Sequence, residues 1–218
     1  MTEYTPQTIG IIDPAIAEFL DEWETNRAMI AGARVVRAGG EKYLPKFPSV
    51  DPAQHRAIIE RTAFFPGASR THEGLMGLLF RKPPVVDAGE GFLTLLNTIR
   101  ADGGPIEDLA EEVASELLTV NFGVLLTDVP PSVPGRSKAQ EEAMGIRPRI
   151  LHYEAKSILG IDTGVVNNRQ QPINVRLQQD AATIRELLLV NGVYQVRIWP
   201  RIKGKGQTPS QWAIDQTF

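Results

Sequence analysis

Residues 106–128, IEDLAEEVASELLTVNFGVLLTD, carry two periodicities back to back. In the first half Ile106, Leu109, Ala110, Val113, Leu117 and Leu118 recur at intervals that line one face of an α-helix, ending near Asn121. The second half, Phe122-Gly123-Val124-Leu125-Leu126-Thr127-Asp128, is a continuous apolar run bounded by turn signals and reads as a buried β-strand. A helix feeding a strand of this kind requires mixed α and β structure. The flanks sort to either side of it, helical upstream and β downstream, so the expected fold class is α+β.

Upstream, residues 1–12 read as a loosely tied arm. Asp13-Pro14 is a strong helix start, a capping side chain followed by proline at the first helical position. Ile16, Phe19, Leu20, Trp23, Arg27, Ile30 and Ala31 then keep helical spacing, and one helix is expected to about Arg37, stopped by Gly39-Gly40. Its acidic residues fall early and its arginines late, which complements the helix dipole. An extended connection, Tyr43 to Pro48, leads to a second cap-plus-proline pair, Asp51-Pro52, and a helix to roughly Phe64.

After Pro66-Gly67 comes Ser69 to Pro84, SRTHEGLMGLLFRKPP. Ser69 is the expected cap, Leu75, Met76, Leu78, Leu79 and Phe80 the apolar positions, and Pro83-Pro84 the stop. Gly74 and Gly77 each cost about 1 kcal/mol relative to alanine in a helix interior. Two on one helix suggest that another backbone comes close. The plainer reading is a buried core helix packed on a neighbour, and the sharper one a contact helix in an assembly.

Downstream, Phe92 to Ile99 reads as a short helix and Asp102-Gly103-Gly104-Pro105 as a break. Residues 129–148 are rich in proline, glycine and charge and read as a long surface loop, with a short helix at Ala139 to Met144. Beyond Arg149 come short β runs at Ile150–Tyr153, Ile158–Ile161, Ile173–Leu177, Ile184–Val190 and Tyr194–Trp199. Asn191-Gly192 is a strong hairpin signal between the last two, and Lys203 to Gly206 another turn before a strand near Trp212 to Ile214. The expected division is a helical unit over residues 1–84 and an α/β domain over 85–218 containing the 129–148 loop.

With 42% hydrophobic and 22% charged residues in 218, the chain is long enough for a real core. A net charge of −3 gives no bulk sign of nucleic-acid binding. The absence of cysteine rules out disulfides and thiolate metal sites. MTEYTPQTIG lacks signal-peptide character, and runs such as Gly74–Phe80 fall far short of the roughly 20 residues that span a bilayer. A soluble protein with no membrane partner is expected.

Chemistry-bearing motifs are sparse. His55, His72 and His152 have no second ligand at zinc spacing, and no phosphate-binding glycine loop or nucleophile elbow occurs. Carboxylates at Asp21–Glu24, Glu107–Glu112 and Glu141-Glu142 sit on polar helix faces, and Asp162 beside Thr163-Gly164 reads as a strand-end turn. Arg197, Arg201, Lys203 and Lys205, with Tyr194 and Trp199 interleaved, are the best nucleic-acid candidates. Strand alternation, however, divides them between two faces. No catalytic, metal-binding or cofactor-binding residues are expected.

Tyr43-Leu44-Pro45, then Arg61-Thr62-Ala63-Phe64-Phe65, then Arg70-Thr71 with Gly74-Leu75-Met76-Gly77-Leu78-Leu79-Phe80-Arg81-Lys82-Pro83-Pro84 resemble the N-terminal half of tailed-phage portal proteins. The likeness is to the phage and prophage group often described only as a domain of unknown function. The order continues through Asp102-Gly103-Gly104, Glu116-Leu117-Leu118, Phe122 to Pro130 and Ile150 to Leu159, and covers roughly residues 13–200. The chain departs from the family at Pro66-Gly67, where an asparagine is common, and at Asn121-Phe122-Gly123, where a glycine-arginine pair is common. Portal proteins are also longer, with stem helices, a clip and further wing or crown elements. The chain is therefore expected to be incomplete at its C-terminus.

The resemblance implies a structural protein without catalysis or cofactors, forming a homo-oligomeric, dodecameric ring at one capsid vertex. DNA would pass through the channel without sequence-specific binding during packaging and ejection. Capsid and scaffold proteins, the terminase, and a tail or adaptor protein would be its partners. Its place would be the virion, and the host cytoplasm during assembly. The portion present would be mostly wing, with Gly74 and Gly77 admitting another helix, Phe80 packing beside them, and Arg70, Arg81 and Lys82 near a subunit boundary. Two alternatives stand beside it: a head–tail adaptor or completion protein, and a small hydrolase with its site in the 129–148 loop.

Overall fold

Asp13 caps the first helical turn through its carboxylate, which accepts the Ala15 N–H at 2.8 Å, and Asp51 does the same for Ala53 and Gln54. These caps open a series of helices: α1 (Pro14–Ala17), α2 (Leu20–Ala31), α3 (Ala33–Ala38), α4 (Pro52–Arg61), α5 (Gly67–Leu79), α6 (Glu90–Leu96) and α7 (Ile106–Val120). Then come β1 (Gly123–Asp128), α8 (Lys138–Ala143), β2 (Arg149–Glu154), β3 (Ile158–Val166), β4 (Arg169–Asp180), β5 (Thr183–Val190), β6 (Val193–Ile202), β7 (Gln211–Trp212) and β8 (Gln216–Thr217). The computed structural model describes residues 4–129, 137–202 and 211–217. The fold is α+β.

Two compact units emerge, divided otherwise than at residue 84. The β unit comprises Met1–Phe19, Ile99–Asp102 and Gly123–Phe218, and the helical unit Leu20–Thr98 and Gly103–Phe122. Helix α7 belongs with the helices, and the N-terminal arm with the sheet.

In the helical unit, the single helix expected from Asp13 to Arg37 is broken. Phe19 N–H bonds back three residues to Ile16, and Gly32 adopts φ +86°, a left-handed conformation that ends α2 before α3 restarts. Trp23, Ala28, Val36, Leu96, Leu109 and Val120 are buried here, and Trp23 stacks on Phe122 with centroids 5.6 Å apart. Glu116, buried on α7, accepts from Arg27 of α2 at 2.5 Å. Asn121 closes α7 in the left-handed conformation.

The β unit contains the antiparallel ribbon β1–β2 and an antiparallel sheet in the order β3-β4-β5-β6, to which β7 and β8 add beside β6. Asn191-Gly192 forms the expected tight turn, both residues at positive φ, with Val190 paired to Val193. Asn167-Asn168 makes a second turn of this kind between β3 and β4. β1 differs from the buried strand expected of it: Leu125 is 53% exposed, and its paired strand is β2 alone among the described residues. Its apolar run fills successive positions, so alternate side chains fall on the exposed face of the ribbon. Asp162 is another difference, since it lies within β3 rather than at a turn, and its Oδ2 accepts the Tyr4 hydroxyl at 3.0 Å.

The arm is far from loose. Ile9 is fully buried in a cluster with Leu159, Ile184 and Trp199, and Tyr4, Ile12 and Trp212 pack against it. Arg176 of β4 is buried as well. Its Nη1 donates to the carbonyls of Ile9 at 3.1 Å and Ile11 at 2.6 Å, its Nη2 to that of Leu159 at 3.4 Å, and its guanidinium lies over the Tyr4 ring. A charge that can spend its donors on chain carbonyls tolerates burial, and here it locks the arm to the sheet.

Candidate functional site

Helix α5 starts two residues before Ser69, whose hydroxyl donates to Glu73 instead of capping. It ends at Leu79 because Pro83 would clash with the carbonyl four residues earlier. None of its residues is buried, so the core-helix reading does not hold. Its half-buried residues are Gly67, Ser69, His72 and Met76, and His72 Nε2 lies 3.1 Å from Ser115 Oγ on α7. That face looks inward. Leu75, Leu78 and Leu79 lie elsewhere on the helix and are 41%, 71% and 58% exposed.

Positions 70, 74 and 77 of α5 are spaced to form one stripe, away from the His72 face, and Arg81 lies beyond the helix end. Arg70 opens this stripe and Gly74 and Gly77 continue it; all three are exposed, as is Arg81 past the helix. A Cβ built on either glycine would meet no atom within 4 Å. Among the described residues nothing lies against the helix where its glycines permit close approach. Arg70 lies over the Phe65 ring at 5.5 Å, Phe80 is half-buried just past the helix end, and Arg81 and Lys82 are exposed without an ion-pair partner among the described residues. The residues singled out in sequence thus fall on or beside one helix, with Phe80 turned partly inward.

The other candidates resolve into structural roles. His55 is buried with Nε2 3.1 Å from the Leu44 carbonyl. Trp199 is buried and donates to Glu186, so its ring is closed to stacking, while Tyr194 is half exposed and donates its hydroxyl to the Pro172 carbonyl at 2.5 Å. Arg197 lies 3.8 Å from Glu186 and Arg201 over Trp212. Lys203 and Lys205 lie outside the described residues, as do positions 130–136 of the loop. Among the described residues no group of three or more histidine or acidic side chains converges. Among those same residues no helix is long and apolar enough to cross a membrane.

A polar network escaped sequence reading. Asp128 of β1 joins Arg149 of β2 at 3.0 Å and Arg185 of β5 at 2.9 Å. Buried Tyr153 sits near these groups. Burial raises its pKa, with Arg185 opposing and Asp128 adding. Burial also raises the Tyr4 pKa, helped by its hydrogen bond to Asp162. Because both phenols hold their protons more tightly when folded, the unfolded chain ionises first as pH rises. The stabilisation is complete below the ordinary tyrosine range near about pH 10 and is lost as pH climbs through the folded values. Melting temperature is therefore expected to fall at alkaline pH, and to fall less in a Tyr4→Phe, Tyr153→Phe double variant. An identical decline in the two proteins would contradict the assignment.

No protein-family model matches the chain, and no curated protein is similar to it in sequence.

Proposed function

We propose that the chain is a non-catalytic structural subunit, a portal-like ring component of a tailed phage or prophage, with the stripe on α5 facing a neighbouring subunit. One observation carries this reading: a helix with two interior glycines has open space over both, beside exposed leucines. Glycine costs helix stability, so its use on an uncovered face favours a partner outside the chain. Leu75, Leu78 and Leu79, exposed elsewhere on the same helix, would gain further by burial between copies. Heterologous contacts of this type close into rings when the rotation permits. Arg70, Gly74 and Gly77 belong to the Arg70–Pro84 motif on which the portal resemblance rests.

The ring would act as a conduit for DNA at the capsid vertex, with terminase, then tail or adaptor, docking to it. A low net charge suits a conduit, because each phosphate contact would add affinity and hinder sliding. Negative-stain imaging of the full product of the reading frame is expected to show rings. A population of monomers alone at every concentration would overturn the proposal. A head–tail adaptor would also assemble, and gene order separates the two: a neighbouring terminase gene favours the portal, a place among tail genes the adaptor.

A further inference from the structure

Six consecutive residues, Val124 to Val129, line a cleft of about 530 Å³ in the β unit. Successive side chains of a strand point to opposite faces, so a cavity touched by all six runs along the strand's edge. That edge is open, since β1 pairs with β2 and with no other described strand. Facing it is an apolar row that crosses four strands: Ile161 opposite Val175, Val175 opposite Leu187, and Leu187 opposite Val196. All four side chains line the same cleft.

Charge is unbalanced where Arg185 enters this lining. Arg185 and Arg149 share the single carboxylate of Asp128, leaving a net positive group. Arg185 is only 8% exposed, yet its Nε has no hydrogen-bond partner among the described residues. A guanidinium offers five N–H donors in a fixed fork, and a buried one left open is costly.

We propose that the cleft is a docking groove for an extended peptide segment of a partner protein. The segment pairs its backbone with the free edge of β1, as in strand addition. Its apolar side chains, at alternate positions, pack on the Ile161–Val175–Leu187–Val196 row, and a carboxylate near one end meets Arg185. The unpaired edge selects an extended backbone, the row selects apolar alternation, and Arg185, the one arginine in the lining, selects the acid. The volume lies within the range of sites that hold small ligands. The groove belongs to the β unit and does not depend on the assembly reading for α5.

The test uses the whole chain and fluorescence anisotropy. The probe is a fluorescein-labelled hexapeptide in which valine and threonine alternate, with glutamate at the first or the last position. Saturable binding of one of the two orientations is expected, and glutamine in place of glutamate should weaken it about tenfold, as loss of a charge-assisted hydrogen bond does. Two further probes carry N-methyl groups on either the odd or the even amides. A strand at an edge engages one set and turns the other to solvent, so one probe should lose binding and the other keep it. Leu187→Glu in the protein should abolish binding with the circular dichroism spectrum retained. Absence of saturable binding in both orientations would overturn the proposal. So would equal affinity of the two methylated probes, which would mark a generic apolar pocket, or undiminished binding to a folded Leu187→Glu variant.

Discussion

Arg176→Ala is expected to lower the stability of the β unit by about 3–5 kcal/mol, at the upper end of single-substitution effects. The substitution leaves the carbonyls of Ile9 and Ile11 without their arginine donor, while that of Leu159 keeps the Asp13 N–H at 2.7 Å. An unsatisfied buried acceptor costs about 1–3 kcal/mol, and the lost packing of the long side chain adds to it. Lysine is a poor rescue, because one ammonium cannot reproduce the planar fork. Deleting residues 1–12 attacks the same contact from its other side, removing Ile9 from the core and leaving a buried guanidinium without two of its acceptors. The two lesions therefore share one interaction, and their combined effect should fall well short of the sum. Urea unfolding followed by circular dichroism measures both, and full additivity would mean that the arm and Arg176 act independently.

Glu186→Ala should cost a similar amount, about 3–5 kcal/mol, because it breaks a buried charged network by removing one member. Glu186 is almost fully buried and accepts from Asn174 Nδ2 at 2.7 Å and Trp199 Nε1 at 3.0 Å, with Arg197 3.8 Å away. Removing it orphans two donors and leaves a cation without its nearest acid. Replacing the set with apolar residues of like shape, Glu186→Leu with Asn174→Leu and Trp199→Phe, should recover much of the loss. Recovery would place the cost in unsatisfied polar groups, whereas a triple variant as unstable as Glu186→Ala would place it in packing.

Local signals wrote much of this fold openly. Asp13-Pro14, Asp51-Pro52 and Asn191-Gly192 act through their own backbone and side chains, and each does what its chemistry dictates. Asn167-Asn168 was harder to read, since asparagine tolerates positive φ without demanding it. Gly32 carries no pattern that separates a helix break from an ordinary helix glycine. The arm and Arg176 were illegible for another reason: their contacts span more than 160 positions, and a lone arginine among polar residues gives no sign that its donors will find backbone carbonyls. The α5 stripe was half legible. Spacing paired Gly74 with Gly77, and the family resemblance set Arg70 and Arg81 beside them, but only the three-dimensional fold shows that the glycines face open space among the described residues.

Gly77→Leu puts the role of that face to a single measurement, the mass of the full product of the reading frame by light scattering, set beside its melting temperature. Among the described residues the added side chain meets no atom at its root, and it gains helix propensity, up to about 1 kcal/mol. An inter-chain role for the stripe requires that the wild-type protein assemble and that the variant lose assembled mass while its folded units melt no lower. An assembly of unchanged mass, or a variant that fails through unfolding instead, would contradict it.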